Sequence, residues 1–300
     1  MSRQIRIGSR DSVLAIKQAE IVIASVKAKF PTINFELVKI KTTGDKILDK
    51  NLDAIGGKGL FIKELEQALI DGKIDLAVHS YKDMPYEEMD DLPIVALSKR
   101  ESPFDVLVLP LHTDHLNMEK PIGSCSPRRT IQFNKMYPTS YAKAVRGNVL
   151  TRLSKLDKGE YSALILAQAG LYRIGLHDRI SRVFTADEMI PSASQGILAI
   201  QGRSGENYSY LDCFHSHDSE IISKAERQFL KTLGSDCTSP VAAYAQVKGN
   251  EILLKGMYVS DSGSIATGSI NGEADEAEFL GSSLAEQLMA KAEGNDCFAN

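Results

Sequence analysis

Two hydrophobic periods alternate along the first hundred residues. Patterns typical of β-strands occupy residues 4–8, 34–41, where apolar and polar residues alternate, and the short apolar run 76–78. Residues 13–30 and 60–70 instead carry apolar side chains with the spacing of an amphipathic helix. The order strand, helix, strand, helix, strand predicts an α/β domain built around a mainly parallel sheet.

A second copy of this pattern begins after residue 100. Ile122-Gly123-Ser124 and the segments behind it parallel Ile7-Gly8-Ser9 and its successors, and strands at 94–97 and 106–109 flank a crossing at 99–103. The repeat predicts two similar α/β lobes that face each other across a cleft. Each Ile-Gly-Ser segment leads into a helix. Either it presents a helix amino terminus to an anion, or its glycine merely permits a tight turn, and the sequence leaves both open.

The last third of the chain changes character. An apolar run at 196–201 is typical of a strand returning to the first lobe, and the polar stretch 204–219 resembles a linker. Beyond it, a helix, three strands and a helix predict a small antiparallel α+β domain. These elements are expected at 221–233, 241–248, 251–260, 264–270 and 274–292. The predicted domains are a first lobe (1–98 with 197–215), a second lobe (99–196) and a C-terminal domain (216–300).

Polar residues follow abruptly on the strand at 76–78. His79, Lys82 and Asp83 come soon after it, and the carboxyl ends of strands in open α/β sheets are where ligands bind. Asp83 is the first candidate for a working carboxylate, against the alternative of an ordinary Lys-Asp turn pair. His79 has the chemistry of a general base, but no serine or cysteine nucleophile signature surrounds it, so a structural role is favoured.

Composition narrows the class of protein. The 300 residues are 43% hydrophobic and 25% charged, which is typical of a globular chain with two or three domains. No apolar run reaches the roughly 18 residues of a membrane helix. Residues 1–4 lead into a strand without a signal-peptide core, so we expect a cytoplasmic protein.

The four cysteines lack the spacing of a zinc site or a disulfide framework, so no metal is expected. Cys237 lies in a predicted turn between a helix and a strand rather than inside an apolar run. Cys125 also lies in a turn, near cations that favour the reactive thiolate. Both thiols are candidates for chemistry, and a buried packing role is the alternative for either.

Charge is unevenly distributed along the chain. The net charge of −4 argues against general nucleic-acid binding, yet residues 120–152 hold seven cations and no Asp or Glu. This basic segment is either a solvated face or a local anion site. Its arginines follow turn-like glycine and serine, and arginine pairs bidentately with carboxylates. The seven cations are Lys120, Arg128, Arg129, Lys135, Lys143, Arg146 and Arg152.

Several motifs resemble those of the hydroxymethylbilane synthase (porphobilinogen deaminase) family, and the resemblance covers essentially the whole chain. HSYKDMP followed by RGNVLTRLSKL is a specific combination. The other matching segments are IGSRDSVLAIKQAE, GGKGLFIKELEQAL, IGSCSPRR, ILAQAGLYRIG, PSASQGILAIQGR and SDCTSPVAAYA.

The resemblance implies an enzyme of tetrapyrrole biosynthesis with two periplasmic-binding-protein-like lobes and a third domain that carries a cysteine. That cysteine, at the position of Cys237, would hold a dipyrromethane cofactor through a thioether. Four porphobilinogen molecules would be deaminated and joined head to tail on this primer before hydrolysis releases linear hydroxymethylbilane. Asp83 matches the family's catalytic aspartate, which would stabilise positive charge on pyrrole nitrogens.

The resemblance also implies ligands and binding residues. Porphobilinogen and the growing oligopyrrole are the expected partners, with no nucleic acid and no membrane, and a monomer is expected. Each pyrrole carries an acetate and a propionate, which suits arginine. The positions matched to cofactor binding are Lys82, Ser124, Ser126, Arg128, Arg129 and Arg146. Those matched to substrate binding are Arg10, Ser12, Arg146, Arg152, Arg173 and Gln195, with Lys58 and Phe61 where the family has its lid and a ring-packing aromatic.

A second hypothesis is a two-lobed binding or regulatory module, in which Asp83 and the arginines only bind a small carboxylated ligand. The C-terminal domain favours the enzyme, because a simple solute-binding module has no need of an appended domain that presents a cysteine.

Overall fold

The computed structural model describes residues 4–42, 62–87, 89–235 and 239–294. The chain divides into two compact units. The first unit is Met1–Glu101 with Ile197–Ser219, and the second unit is Ser102–Gly196 with Glu220–Asn300.

Strands and helices alternate through most of both units. The described strands are β1 (Ile5–Arg10), β2 (Phe35–Ile40), β3 (Leu76–Ser80), β4 (Ile94–Leu97), β5 (Asp105–Val108), β6 (Ile122–Gly123), β7 (Ala142–Lys143), β8 (Ala163–Ala167), β9 (Arg182–Val183), β10 (Leu198–Gln201), β11 (Ala242–Lys248), β12 (Glu251–Val259) and β13 (Ile265–Glu273). The described α-helices are α1 (Val13–Lys29), α2 (Lys63–Ile70), α3 (Pro127–Met136), α4 (Val149–Asp157), α5 (Gln168–Arg173), α6 (His217–Thr232) and α7 (Ala277–Ala292). Short 3₁₀ turns lie at Tyr81–Asp83, His177–Arg179, Ser209–Leu211 and Ala274–Glu276.

The first unit contains a five-stranded sheet in the order β2-β1-β3-β10-β4. Strand β1 is parallel to β2 and β3, and β10 is antiparallel to both of its neighbours. Helix α1 covers this sheet because Ala19, Val22 and Val26 recur on one of its faces and pack with Ile7 and Leu76 in a single core.

The second unit contains a sheet of the same design in the order β7-β6-β8-β5-β9. Strand β6 is parallel to β7 and β8, and β5 is antiparallel to β8 and β9. In both sheets the antiparallel strand lies in fourth place and belongs to the chain segment that crosses between the units. The predicted twofold α/β repeat is therefore confirmed at the level of strand order and direction.

The second unit's sheet is buried on both faces. Leu164 and Leu166 of β8 pack with Val106 on one side, while Ile165 packs with Phe133 on the other. Two-sided burial explains why these strands appear in the sequence as continuous apolar runs rather than as alternating patterns. Each such side chain contributes about 1.5–3 kcal/mol when fully buried.

The end of the chain forms the predicted antiparallel sheet, in the order β11-β12-β13. Leu280, Leu284 and Leu288 are buried on one face of α7, at the spacing expected of a helix laid on a sheet. On the β11 edge, Ala242 and Tyr244 pack with Ile190 of the same unit.

The interpretation of the two Ile-Gly-Ser glycines as tight-turn residues was wrong. Gly8 lies inside β1 and Gly123 inside β6, and neither has a left-handed backbone. A Cβ at Gly8 would come within 2.3 Å of Ile74 Cδ1, and a Cβ at Gly123 would come within 2.3 Å of Leu164 Cδ2. Glycine is needed at both places because a neighbouring side chain fills the space above the strand.

The predicted linker 204–219 was also partly wrong, because α6 begins inside it at His217. Ser216 caps this start, since its Oγ accepts a hydrogen bond from the Ser219 N–H at 3.4 Å. A helical turn whose apolar face is not yet established escapes a search based on periodicity.

Among the helices that the structure describes, none is long and apolar enough to cross a membrane.

Candidate active site

Asp83 ends the 3₁₀ turn that follows β3, and its side chain is exposed. Tyr81, at the start of the same turn, is buried, and its N–H donates to Ile197 O at 3.0 Å. The turn is therefore anchored by a buried ring and a backbone bond while its last residue faces solvent. Lys82, between them, is half-buried.

His79 is a buried, neutral side chain rather than an acid–base group. Burial lowers its pKa to about 4, although a hydrogen bond to Gln201 acts in the opposite direction. Gln201 Nε2 donates to Glu66 Oε1 and Leu92 O, so its Oε1 accepts from His79 Nε2 at 3.1 Å. The structural role expected for His79 agrees with this geometry.

Arg10 and Ser12 lie where β1 passes into α1. Arg10 is the last residue of the strand and is half-buried. Ser12 is the N-cap of the helix, and its Oγ accepts from the Ala15 N–H at 3.2 Å. The Ser12 hydroxyl keeps its own hydrogen as a donor in this arrangement.

The start of α3 repeats this construction in the second unit. Ser126 is the N-cap, its Oγ accepting from the Arg129 N–H at 3.5 Å, and Pro127 occupies the first helical position. Ser124 Oγ accepts from the Ser126 N–H at 3.1 Å. Cys125 is exposed, and its thiol donates to Val145 O at 3.1 Å.

Arg128 and Arg129 share one buried carboxylate, Asp105, that was not predicted from the sequence. Asp105 has no exposed surface; its Oδ2 lies 2.8 Å from Arg128 Nη1 and its Oδ1 lies 2.7 Å from Arg129 Nη2. Arg129 Nε also donates to Asp105 Oδ1, at 3.0 Å. The available signal was a lone Asp at the head of an apolar strand in a unit with two adjacent arginines.

The cluster of Asp105, Arg128 and Arg129 holds two guanidinium groups and one carboxylate, and so carries a surplus of one positive charge. Burial lowers the pKa of Arg128, while the Asp105 charge raises it, and arginine remains protonated in proteins. Backbone carbonyls add further acceptors, Ile190 O for Arg128 at 2.7 Å and Ile165 O for Arg129 at 3.1 Å. A surplus of positive charge in these three side chains suits an anionic ligand.

Arg146 lies on the turn that precedes α4, and Arg152 lies within α4. Gly147, between them, has φ +108°, and a Cβ there would meet Thr151 Cγ2 at 2.6 Å. Asn148 caps α4 by accepting from the Thr151 N–H at 3.0 Å. Arg152 Nε donates to Gly147 O at 2.8 Å, so part of this guanidinium fixes the turn itself. Arg146 is half-buried on that turn.

Arg173 and Gln195 are engaged with the segment that leaves the second unit. Arg173 Nη2 donates to Gly196 O at 2.6 Å. Gln195 is fully buried, and its Nε2 donates to Pro103 O at 2.6 Å and to Asp105 Oδ1 at 3.0 Å. Gln195 therefore extends the Asp105 cluster.

Within each unit, most of the sequence-predicted residues gather at one sheet edge. In the first unit they follow β1 and β3, and in the second they follow β6, β7 and β8. These strands are parallel neighbours, whose carboxyl ends meet on the same side of a sheet. Lys58, Phe61 and Cys237 lie outside the described residues.

Two family models match the sequence. Residues 5–210 match "Porphobilinogen deaminase, dipyromethane cofactor binding domain", and residues 221–290 match "Porphobilinogen deaminase, C-terminal domain".

Curated relatives cover nearly the whole chain. The porphobilinogen deaminase of Acetivibrio thermocellus is 54% identical over 97% of this chain and 99% of its own length. That of Ruminiclostridium josui is 50% identical over 96% and 98%, respectively. The porphobilinogen deaminase of Nostoc sp. is 40% identical over 95% and 91%.

Solved structures give weaker similarity. The BenM effector-binding domain with benzoate is 17% identical, with a TM-score of 0.42 over 77% of this chain and 93% of that one. The probable amino-acid transporter binding protein ytmK of Bacillus subtilis is 14% identical, with a TM-score of 0.43 over 77% and 97%. Scores this low add nothing to the strand order described above.

Proposed function

Because the chain belongs to the porphobilinogen deaminase family, we propose roles for its individual side chains in binding and joining porphobilinogen. The protein is a hydroxymethylbilane synthase, a transferase of tetrapyrrole biosynthesis with a dipyrromethane cofactor. It deaminates and joins four porphobilinogen molecules and releases linear hydroxymethylbilane.

Cys237 is proposed as the covalent attachment point of the cofactor. The dipyrromethane supplies the primer on which the pyrrole chain is built. The surplus positive charge of the Asp105–Arg128–Arg129 cluster fits a group that carries carboxylates. Around that cluster, the proposed cofactor-binding residues are Lys82, Ser124, Ser126, Arg128, Arg129 and Arg146.

Porphobilinogen presents an acetate and a propionate, and the proposed substrate residues are matched to them. Arg146 sits on a turn fixed by its neighbours, so little side-chain or backbone freedom is lost when it pairs with a carboxylate. Ser12 offers its hydroxyl hydrogen while its oxygen caps α1. The further proposed substrate residues are Arg10, Arg152, Arg173 and Gln195, with Lys58 and Phe61 in the lid segment.

Asp83 is proposed as the catalytic carboxylate. When ammonia leaves porphobilinogen, positive charge develops on a pyrrole ring and its nitrogen, and a nearby carboxylate lowers the energy of that cation. The supporting observation is its position: an exposed carboxylate on a turn held by buried Tyr81, at the carboxyl end of a central strand.

The proposed roles of these side chains rest on one observation: in both units, the family-matched residues gather at the carboxyl ends of parallel strands. The direct test of the thiol is the intact mass of protein purified from cells that make porphobilinogen. Wild-type protein and Cys125→Ser should be heavier than their sequences by one dipyrromethane, and Cys237→Ser should have its sequence mass. An adduct on Cys237→Ser but not on Cys125→Ser would reverse the assignment.

Replacing Asp83 with Asn should leave the adduct in place and lower kcat by about 100-fold or more, because the neutral amide cannot balance the developing charge. Steady-state assays of mass-verified protein measure this. Asp90→Asn, an exposed carboxylate of the same unit, is the control and should keep wild-type kcat. Wild-type rates for Asp83→Asn would remove this residue from catalysis.

We also propose the three-domain division at 1–98 with 197–215, 99–196 and 216–300, a monomeric state and a cytoplasmic location. The separate family models for 5–210 and 221–290 support a boundary before the C-terminal domain. Light scattering of the purified protein tests the monomer, since a mass near twice 32.9 kDa would contradict it.

A further inference from the structure

Glu226 is a fully buried carboxylate on α6. Its Oε2 accepts from the Ser194 N–H at 2.5 Å, and its Oε1 accepts from the Ala245 N–H at 2.6 Å. One carboxylate thus joins three parts of the second unit: α6, strand β11 and the segment that leads out of this unit at Gly196.

Burying a carboxylate is costly unless charge-assisted hydrogen bonds compensate for lost hydration. A leucine at this place on α6 would fill a core without that cost. The two N–H groups that Glu226 holds belong to segments far away in sequence, 32 and 19 residues from it. The carboxylate therefore fixes the relative position of these segments, because its hydrogen bonds are directional. Contacts of an apolar side chain at the same place would not be directional.

The segment bound at Ser194 is under conformational constraint. Ser194 is a non-glycine residue with φ +57°, and Gly196 follows with φ +94°. A left-handed serine costs about 1 kcal/mol and persists only where its surroundings impose it. The bond from Glu226 to the Ser194 N–H is one such restraint, and the bond from Arg173 to Gly196 O is another.

Contacts continue from this segment to the two adjacent arginines. Gln195, next to Ser194, donates to Asp105 Oδ1 at 3.0 Å. Asp105 in turn pairs with Arg128 and Arg129. Buried hydrogen bonds and ion pairs thus connect Glu226 to the guanidinium groups, with the peptide bond between Ser194 and Gln195 as the covalent link in the path.

The path begins at the elements that flank Cys237. Helix α6 ends at Thr232, before the cysteine, and β11 begins at Ala242, after it. Glu226 lies on α6 and binds the backbone of β11, so its carboxylate ties together the two described elements on either side of the cysteine.

We infer that Glu226 is a positioning residue that holds α6 and β11, the described elements on either side of Cys237, in place relative to Arg128 and Arg129, so that one cofactor can be bound by Cys237 and by both arginines. This inference rests on the proposed roles of Cys237 and the two arginines. It adds a residue that contacts neither the cofactor nor the substrate and acts through the backbone N–H groups of Ser194 and Ala245.

The test compares Glu226→Gln with Glu220→Gln, expressed in cells that make porphobilinogen. Glu220 lies on the same helix and pairs with Lys224 at 2.8 Å on the partly exposed face. The folded fraction of each variant is isolated, and its intact mass gives the share that carries the dipyrromethane. Glutamine keeps the shape but turns an NH₂ donor toward one of the two N–H groups.

We expect the share of folded Glu226→Gln that carries the adduct to fall by about tenfold, the scale expected when a reacting geometry is displaced by a fraction of an ångström to one ångström. Glu220→Gln should load like the wild type. A merely structural glutamate would lower the unfolding midpoint and leave the loading of folded protein unchanged, and that result would overturn the inference.

If Glu226→Gln yields no folded protein, Glu226→Asp replaces it. Aspartate keeps the charge but is one methylene shorter and cannot reach both N–H groups, so reduced loading supports the inference and wild-type loading overturns it. The wild-type protein distinguishes a failure of the Cys237 assignment from a failure of the Glu226 inference. A wild type without adduct contradicts Cys237 as the attachment point, whereas a loaded wild type beside a loaded Glu226 variant contradicts only the positioning role.

Discussion

The two five-stranded sheets share a strand order but differ in which equivalent positions are polar. Asp105 opens β5 opposite Ala167, the last residue of β8, and Leu198 opens β10 opposite Ser80, the last residue of β3. The second unit thus has a buried carboxylate where the first has a buried leucine. Counting two residues on from the N-caps of α3 and α1, Arg128 corresponds to Leu14.

The substitution runs the other way at the next position along the strands. His79 pairs across the sheet with Ala199, and the corresponding partner of Val106 in the second unit is Leu166. The first unit therefore buries a His79–Gln201 hydrogen bond where the second has only aliphatic side chains.

This comparison separates the needs of the fold from those of the site. The same sheet forms with leucine or with an ion cluster at one position, and with histidine or leucine at another. A buried ion pair is therefore weak evidence for stability, and an apolar set of the same volume often serves as well or better. The Asp105–Arg128–Arg129 cluster of the second unit is therefore better explained by ligand binding than by a requirement of the fold.

The largest expected effect is that of Asp105→Asn. It leaves Arg128 and Arg129 buried without their carboxylate, which should cost about 3–5 kcal/mol of unfolding free energy. Urea denaturation at neutral pH measures the change. Asp157→Asn, which breaks a more exposed pair with Arg179, is the matched control and should cost about 1 kcal/mol or less.

The comparison becomes sharper if the second unit is given the first unit's residues. Asp105→Leu, Arg128→Leu and Arg129→Ala together should recover stability to within about 2 kcal/mol of the wild type. The same triple variant should lack the dipyrromethane adduct by mass. A triple variant that remains as unstable as Asp105→Asn would show that the fold itself depends on the ion cluster.

His79 should make the first unit sensitive to acid. Its pKa is about 4 when folded and 6.5 in the unfolded chain, so below pH 6.5 only the unfolded state takes up the proton. Stability is therefore lost as pH falls from 6.5 toward 4, by up to about 3 kcal/mol. Replacing His79 with its counterpart, leucine, should flatten this part of the profile.

The measurement is the unfolding free energy of wild type and His79→Leu in urea at pH 7 and at pH 4.5. Other titrating groups are common to both proteins, so the difference between the two slopes isolates the histidine. Parallel profiles would mean that His79 is hydrated enough to be protonated in the folded protein.

The smallest effect should be the same in both units. Gly8→Ala and Gly123→Ala each place a Cβ against the tip of one side chain, Ile74 or Leu164, and should cost about 1–3 kcal/mol. Ile74→Val removes the opposing Cδ1 and should restore part of the loss in Gly8→Ala but not in Gly123→Ala. Thermal unfolding of Gly8→Ala, of Gly123→Ala, of each combined with Ile74→Val, and of Ile74→Val alone tests this, and equal rescue at both sites would contradict the assigned contacts.

By itself the sequence determined the order of strands and helices, the twofold repeat and the start of the first helix at residue 13. These features depend on local spacing: apolar periodicity and side chains that bond a backbone N–H three residues ahead. The position of Asp83 beyond a buried strand was readable for the same reason.

Tertiary structure alone decided the rest. Asp105 binds Arg129 24 residues away and Gln195 90 residues away, and no local period records such a pairing. Gly8 and Gly123 resembled turn residues because the side chains above them come from other elements. Glu226 looked like one more polar position on an amphipathic helix, and only the packing of α6 showed that its carboxylate is buried and bound to two distant backbone N–H groups.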